Sequence, residues 1–147
     1  MSYIRSMLIA TCALFLMACG DDGPDIKGDT NTPEFAAITF FHAMYNDQDL
    51  EKVMEMSTPK LARIIQSYGS TKQFARNVIN MQFDSVNLEV DQTSRSVRKI
   101  YGDNATITLI FSGQLNGNKV DDMRSIKLIK VKSTWFVEKI IDDPYGR

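Results

Sequence analysis

Hydrophobic positions follow two different periods along this chain, a helical one before Gln82 and an alternating one after it. Between Pro33 and Tyr45 most side chains are apolar, which predicts a helix that is buried around most of its circumference. Thr32 followed by Pro33 is typical of an N-cap with proline at the first helical position. From Val86 onward apolar and polar residues alternate, which is typical of half-buried β-strands.

Three shorter helices are predicted after the first one, over residues 50–56, 59–68 and 71–81. Each begins at a recognisable signal: an aspartate cap, a second Thr-Pro pair and the capping box Ser70–Gln73. In the last of them, the spacing predicts that Phe74, Val78 and Met81 share the apolar side.

Five strands are predicted, over residues 86–90, 97–101, 105–111, 121–132 and 135–141. The tripeptide Asn116-Gly117-Asn118 is typical of a tight hairpin turn. Strands joined by short turns must be antiparallel neighbours. The sequence therefore predicts the α+β class: helices packed on one face of a curved antiparallel sheet of about four to five strands, over residues 32–147.

A targeting signal precedes this domain. Arg5 is followed by an apolar run from Met7 to Ala18, which is too short for a bilayer that needs roughly 20 residues. A charged start, a short apolar core and a small residue before a break form the pattern of a secretory signal. Residues 20–31 carry one aliphatic side chain and several helix breakers, which predicts a flexible tether.

The residues Leu16-Met17-Ala18-Cys19 resemble the lipobox of bacterial lipoproteins. The resemblance implies cleavage between Ala18 and Cys19, residues 1–18 as signal peptide, and residues 19–31 as a lipidated cysteine with its tether. It implies a lipid bilayer as partner through acylated Cys19. Because Gly20 rather than aspartate follows, it favours the periplasmic face of the outer membrane over the inner membrane. A plain secretory signal is the alternative.

Composition excludes several classes of function. The 17 lysines and arginines nearly cancel the 18 aspartates and glutamates, which removes the footprint of a general nucleic-acid binder. Two cysteines and one histidine are too few for a zinc or iron–sulfur site, so no metal and no other cofactor is expected.

The order of elements resembles the nuclear-transport-factor-2-like, or cystatin-like cone, superfamily. The segment from Phe40 to Val53 resembles its opening, in which an aromatic helix, a turn with an aspartate and a second helix follow each other. The segment from Ile126 to Val137 resembles its closing hairpin. The resemblance spans about residues 32–141 and implies a sheet that wraps the first helix and leaves a pocket at the open end. Within the superfamily the chain is similar to small bacterial lipoproteins without an assigned function.

The residues predicted to line such a pocket are Tyr45, Tyr68, Asp84 and Trp135. Enzymes of the ketosteroid-isomerase type in this superfamily use a pocket carboxylate as base and tyrosine or protonated-acid donors for an oxyanion. Here Asp84 is the one acid with apolar surroundings, and a cap or turn role explains it better. No motif assembles a base, an acid and an oxyanion donor, so no catalytic residue is assigned.

His42 is the single histidine of the chain and the other candidate for a general base. Thr39 and Asn46 share its stripe on the first helix, and α-helical spacing places no carboxylate on that stripe. A solvated or capping role is therefore favoured for His42.

Apolar residues occur on both faces of the late strands. Alternation places Phe136 and Ile140 opposite the buried face, and Ile110 joins them. The outer face of a sheet that helices cover on one side is expected to be polar. Either a bulge near Leu128-Ile129 corrects the alternation, or Ile110, Phe136 and Ile140 form an interface with a second copy or another envelope protein.

Two main functions are consistent with these features. The first is a membrane-anchored, periplasm-facing lipoprotein that binds a ligand or protein of the cell envelope without catalysis. The second is a small cone-fold enzyme of the isomerase or dehydratase type, which a buried Asp84 or Glu89 bonded to Tyr45 would favour. An assembly subunit of a secretion or conjugation apparatus is a third alternative.

Overall fold

The computed structural model describes residues 31–92 and 99–141. The signal peptide, Cys19 and the tether predicted before Asn31 lie outside these residues, as do residues 97 and 98 of the strand predicted at 97–101. The described part contains the helices α1 (Pro33–His42), α2 (Leu50–Glu55), α3 (Pro59–Ser67) and α4 (Thr71–Phe74). It also contains the strands β1 (Ser85–Val90), β2 (Lys99–Tyr101), β3 (Asn104–Leu115), β4 (Asn118–Val131) and β5 (Thr134–Ile141).

One antiparallel sheet contains all five described strands, in the order β1-β3-β4-β5, with β2 paired to the start of β3. The long hairpin of β3 and β4 forms its centre, and the turn between them has positive φ at Asn116 and Gly117, as a two-residue hairpin turn requires. The α+β class, the hairpin and the number of strands are confirmed.

Helix α1 is the central helix, as predicted. Thr32 Oγ1 accepts from Phe35 N at 3.2 Å, and Pro33 occupies the first turn. The ring of Phe41 meets the ring of Phe111 on β3 edge to face, with centroids 4.9 Å apart. Buried residues of α1 are Pro33, Ala36, Ala37, Ile38, Thr39, Phe40 and Phe41. We call the sheet face toward α1 the inner face.

Two π-helical turns interrupt the helical segments, at Ala43–Asp47 and Ala75–Ile79. The second one changes the buried side of the last segment. Phe74, Ala75 and Ile79 are buried, whereas Val78 is 41% exposed. Hydrogen bonds between residues five apart align Ile79 with Phe74 and rotate Val78 outward. The prediction that Val78 shares the apolar side is therefore wrong, while Met81 is buried as expected.

A β-bulge lies in the β4–β5 ladder. Lys127 pairs with Lys139 and Leu128 with Val137, which leaves Glu138 as the extra residue on β5. A bulge is therefore present near Leu128-Ile129, as considered above. It lies between Lys127 and Leu128 in the ladder, and its extra residue belongs to β5 rather than to β4.

The bulge changes the face on which Ile140 lies. Ile140 is opposite Ile126, which is fully buried, and it packs against the core. The alternation that assigned Ile140 to the outer face is therefore wrong. Ile110 and Phe136 do lie on the outer face and are half-buried, and Val131 on the same face is 48% exposed.

Both outer edges of the sheet are partly closed by the turns that follow helices. On β1, the Asn46 amide donates to Val86 O at 3.1 Å and accepts from Val86 N at 3.2 Å. On β5, Val137 N donates to Met56 O, and Thr58 N donates to Val137 O, both at 2.8 Å. The chain thus uses one side chain and one backbone segment to satisfy the edge groups at these two points.

We expect Gly113→Ala to destabilise the fold by about 1–3 kcal/mol, because a Cβ there would overlap the Ser85 carbonyl oxygen and the Phe83 ring where the start of β1 pairs with β3. Its φ is not in the left-handed region, so the overlap alone determines the effect. Urea unfolding measures it, with exposed Gln114→Ala as the control. An unfolding free energy equal to or above that of the wild type would show that β1 moves aside at no cost.

Candidate functional site

An open groove of about 780 Å³ lies between α3, the second π-helical turn and the strands β4 and β5. We call it the α3–β5 groove. Its apolar wall consists of Leu61, Ile64, Phe74, Val78, Ile129 and Ile140. This volume is within the range of about 300–1,000 Å³ that is typical of ligand pockets.

Helix α3 and the π-helical turn expose aliphatic side chains to this groove. Thr58 Oγ1 accepts from Leu61 N at 3.4 Å and starts α3, whose Leu61 and Ile65 are buried. Ile64 lies between these two and is 41% exposed, as is Val78. Ile64 and Val78 are two of the four exposed large hydrophobic residues in the described part of the chain, and both line the groove.

The rim of the groove is cationic. Lys60, Arg63, Lys127 and Lys139 contribute four positive charges and Glu138 one negative charge. Lys127 Nζ lies 2.8 Å from Glu138 Oε2. The groove therefore combines an apolar wall with a net positive rim, which suits a ligand that is both apolar and anionic.

Two of the predicted pocket residues, Tyr45 and Asp84, line a second cavity of about 360 Å³ next to the β3–β4 turn. The Tyr45 hydroxyl donates to Met81 O at 3.1 Å, and Asp84 Oδ2 accepts from Asn116 N at 2.7 Å. Asp84 thus ties the start of β1 to the hairpin turn, the role that the sequence favoured for it. The structure brings the two residues to one cavity but bonds each to the backbone. Glu89 is exposed and does not line this cavity.

The other two predicted pocket residues lie elsewhere. Tyr68 is 37% exposed, and its ring packs edge to face on Phe74 with centroids 5.8 Å apart. Trp135 lines a third cavity of about 210 Å³ at the start of α1, and Lys130 Nζ is 5.7 Å from the Trp135 ring centroid. The four residues therefore do not form a single pocket.

His42 has a carboxylate partner that α-helical spacing did not predict. Its Nδ1 lies 3.2 Å from the Asp47 carboxylate, and Lys52 Nζ is 3.7 Å from Asp47 Oδ2. The first π-helical turn places residue i+5 beside residue i, so the expectation of no carboxylate on this stripe is wrong. The cluster lies on the surface, outside the three cavities described above.

Arg124 and Asp122 form an ion pair on the inner face, with Arg124 Nη1 2.6 Å from Asp122 Oδ1. Arg124 lies opposite Leu109 and its side chain is 11% exposed, so it belongs to the inner face of the sheet. Arg124 is two residues before Ile126 on β4, so the alternation of the strand indicated that the two side chains share the inner face. Burial raises the pKa of nearby Tyr45 well above its ordinary value, although the charge of Arg124 opposes that shift.

Two further observations concern the described residues alone. No three histidine, cysteine, aspartate or glutamate side chains within residues 31–92 and 99–141 lie close enough together to hold a metal ion. None of the described helices combines the length and apolar character that crossing a membrane requires.

Comparisons with known proteins bear on the fold. No protein-family model and no curated protein matches the chain. The solution structure of a SEC-C motif containing protein from Rhodopseudomonas palustris is similar, with a TM-score of 0.57 over 79% of this chain and 82% of that chain. At 11% identity the likeness supports the α+β fold alone.

We expect the stability of the protein to fall as the pH rises above about 10, because folding holds the Tyr45 phenol protonated. The contribution is complete below the unfolded pKa of about 10 and is lost above it. Tyr45→Phe should make this fall shallower, and at neutral pH it should cost about 1 kcal/mol through the lost bond to Met81 O.

Urea unfolding from pH 7 to 11, followed by circular dichroism, measures both effects, and Tyr68→Phe at the surface is the control. A Tyr45→Phe profile with the same alkaline slope as the wild type would contradict the assignment.

Proposed function

We propose that this protein is a lipid-anchored, periplasm-facing binding module of the cell envelope, and that it holds an anionic, partly apolar ligand in the α3–β5 groove. The single observation that carries the proposal is the groove itself, which combines an apolar wall with four cations and one acid at its rim. An anionic amphiphile satisfies both parts at once.

The exposed aliphatic residues of the groove can contribute free energy to ligand binding. Covering apolar surface stabilises a complex by about 25 cal/mol per Å². Ile64 and Val78 each keep 41% of their surface in water, and both lie on the same wall. A ligand that covers this wall gains from both residues without any rearrangement of the core.

The sequence supports the membrane anchor. The lipobox-like residues end at Cys19, and α1 begins at Pro33. The intervening tether reaches about 40 Å when extended, at about 3.3 Å per residue. The groove can therefore meet a ligand that is away from the membrane surface.

Catalysis has less support than binding. An isomerase-type site needs a carboxylate free to take a proton beside a tyrosine free to donate one. Here the hydroxyl of Tyr45 donates to Met81 O and the carboxylate of Asp84 accepts from Asn116 N. These bonds favour structural roles for both groups.

Replacing Cys19 by serine tests the anchor. We expect Cys19→Ser to move the protein out of the membrane fraction or leave its leader uncut, because serine has no sulfur to acylate. Fractionation with intact-mass measurement reads out both effects. Normal processing and normal membrane association of the variant would overturn the lipoprotein assignment.

Anilinonaphthalene sulfonate, an anionic apolar dye, tests the groove. The core residues lie between Ala36 and Val137, so the unacylated chain from Gly20 contains the whole core and avoids detergent. We expect the wild type to bind the dye, and Val78→Asp to weaken binding about tenfold by placing a charge on the wall. Fluorescence titration measures the dissociation constant.

Val131→Asp is the matched control, since Val131 is 48% exposed, against 41% for Val78, and does not line the groove. Equal losses in the two variants, or no binding to the wild type, would contradict the assignment of the groove.

A further inference from the structure

The geometry points to an extended peptide segment, built from acidic and aliphatic residues, as the ligand of the α3–β5 groove. The peptide pairs with the free edge of β5 at Ile140. This proposal rests on the proposed function, because it states which ligand the same groove binds. It is carried by the backbone groups of β5 at Ile140.

The edge of β5 already has one backbone partner. Residue Ser57 forms an isolated parallel bridge with Val137, in which Val137 N donates to Met56 O and Thr58 N donates to Val137 O. Pro59 then begins α3, and the chain turns away from the strand. Beyond Val137 the edge of β5 borders the groove, which Glu138, Lys139 and Ile140 line.

The register shows which backbone groups point to that edge. Lys130 N donates to Asp103 O on the side of β3, so even-numbered residues of β4 face β3 and odd-numbered residues face β5. Lys127 therefore directs its N–H and C=O toward its partner Lys139, while Ile126 directs its own toward β3.

Ile140 is opposite Ile126, so its own N–H and C=O point away from β4 and toward the groove. The bulge at Glu138 brings about this orientation, because without the extra residue Ile140 would face β4 instead. Within the described part of the chain, no residue forms a hydrogen bond to these two groups. They offer one donor and one acceptor beside an apolar wall.

An extended peptide fits all three features of the groove. Its backbone can pair with Ile140 as a strand adds to a sheet edge. Its alternate side chains point to one face, where aliphatic residues would cover Ile64 and Val78. A fatty acyl chain covers the wall but leaves the donor and acceptor of Ile140 unpaired.

The cationic rim selects acidic peptides. Lysine side chains and bulges on edge strands discourage pairing with unrelated strands. Lys139 and the bulge at Glu138 have this effect here, and Lys60, Arg63 and Lys127 add to the positive charge. A peptide with acidic residues between its aliphatic ones neutralises these cations, whereas a basic or neutral strand does not.

The test uses a peptide of about eight residues that alternates valine and glutamate, with the unacylated chain from Gly20 as the protein. Calorimetry gives the dissociation constant, and NMR follows the Ile140 amide. We expect binding, slower hydrogen exchange at Ile140, and about tenfold weaker binding to Val78→Asp but not to Val131→Asp. A peptide with lysine in place of glutamate should not bind.

N-methylated peptides separate strand pairing from side-chain contact. Successive N–H groups of a strand point to opposite edges, so methyl groups on the valines block one edge and methyl groups on the glutamates block the other. One methylated peptide should bind about tenfold more weakly and the other like the parent. Equal binding of both, or an unchanged Ile140 amide, overturns the strand pairing.

Competition between decanoate and the dye tests the proposed function separately from the peptide. If decanoate displaces anilinonaphthalene sulfonate from the wild type while the acidic peptide does not bind, the peptide is overturned and the binding groove remains. If neither the dye, decanoate nor peptide binds, the proposed function and the peptide fail together.

Discussion

The structure depends on one constraint: helix α1 has almost no face that water can solvate. Ala37, Phe40 and Phe41 are fully buried, and Ala43 just beyond the helix is too. A helix that is apolar all round must be enclosed. The sheet supplies one part of the enclosure, since α1 contacts β1, β3, β4 and β5. Helix α2 and the first π-helical turn contact α1 as well. The α3–β5 groove lies where α3 meets β5.

The two π-helical turns change which side chains next to them are buried and which reach the surface. The first one, Ala43–Asp47, places Asp47 beside His42 and lets Asn46 reach the edge of β1. The second one, Ala75–Ile79, buries Ile79 and turns Val78 into the groove. In both cases one inserted residue shifts every side chain that follows it, as the bulge at Glu138 does in β5.

Sequence periodicity predicted the helices, the strands and the hairpin because each depends on residues near one another in the chain. The N-caps at Thr32, Thr58 and Ser70 have local signals and are found in place. The groove has no such signal, because its wall joins Ile64 of α3 to Ile140 of β5 and depends on two irregularities that packing decides. The four predicted pocket residues lie at three separate locations for the same reason. Residue type alone does not determine which of them come together in the fold.

The two edges of the sheet are covered by different parts of the chain. On β1 the Asn46 amide occupies both edge groups of Val86, and α1 packs beside the strand. On β5 the segment Met56–Thr58 covers Val137 and then leaves, because Pro59 commits the chain to α3. Because of the bulge, the N–H and C=O of Ile140 point to the edge of the sheet, while its side chain packs against the core. The same extra residue therefore completes the inner packing and leaves one donor and one acceptor open beside the cationic rim, so an interruption of the ladder becomes a place where recognition can start.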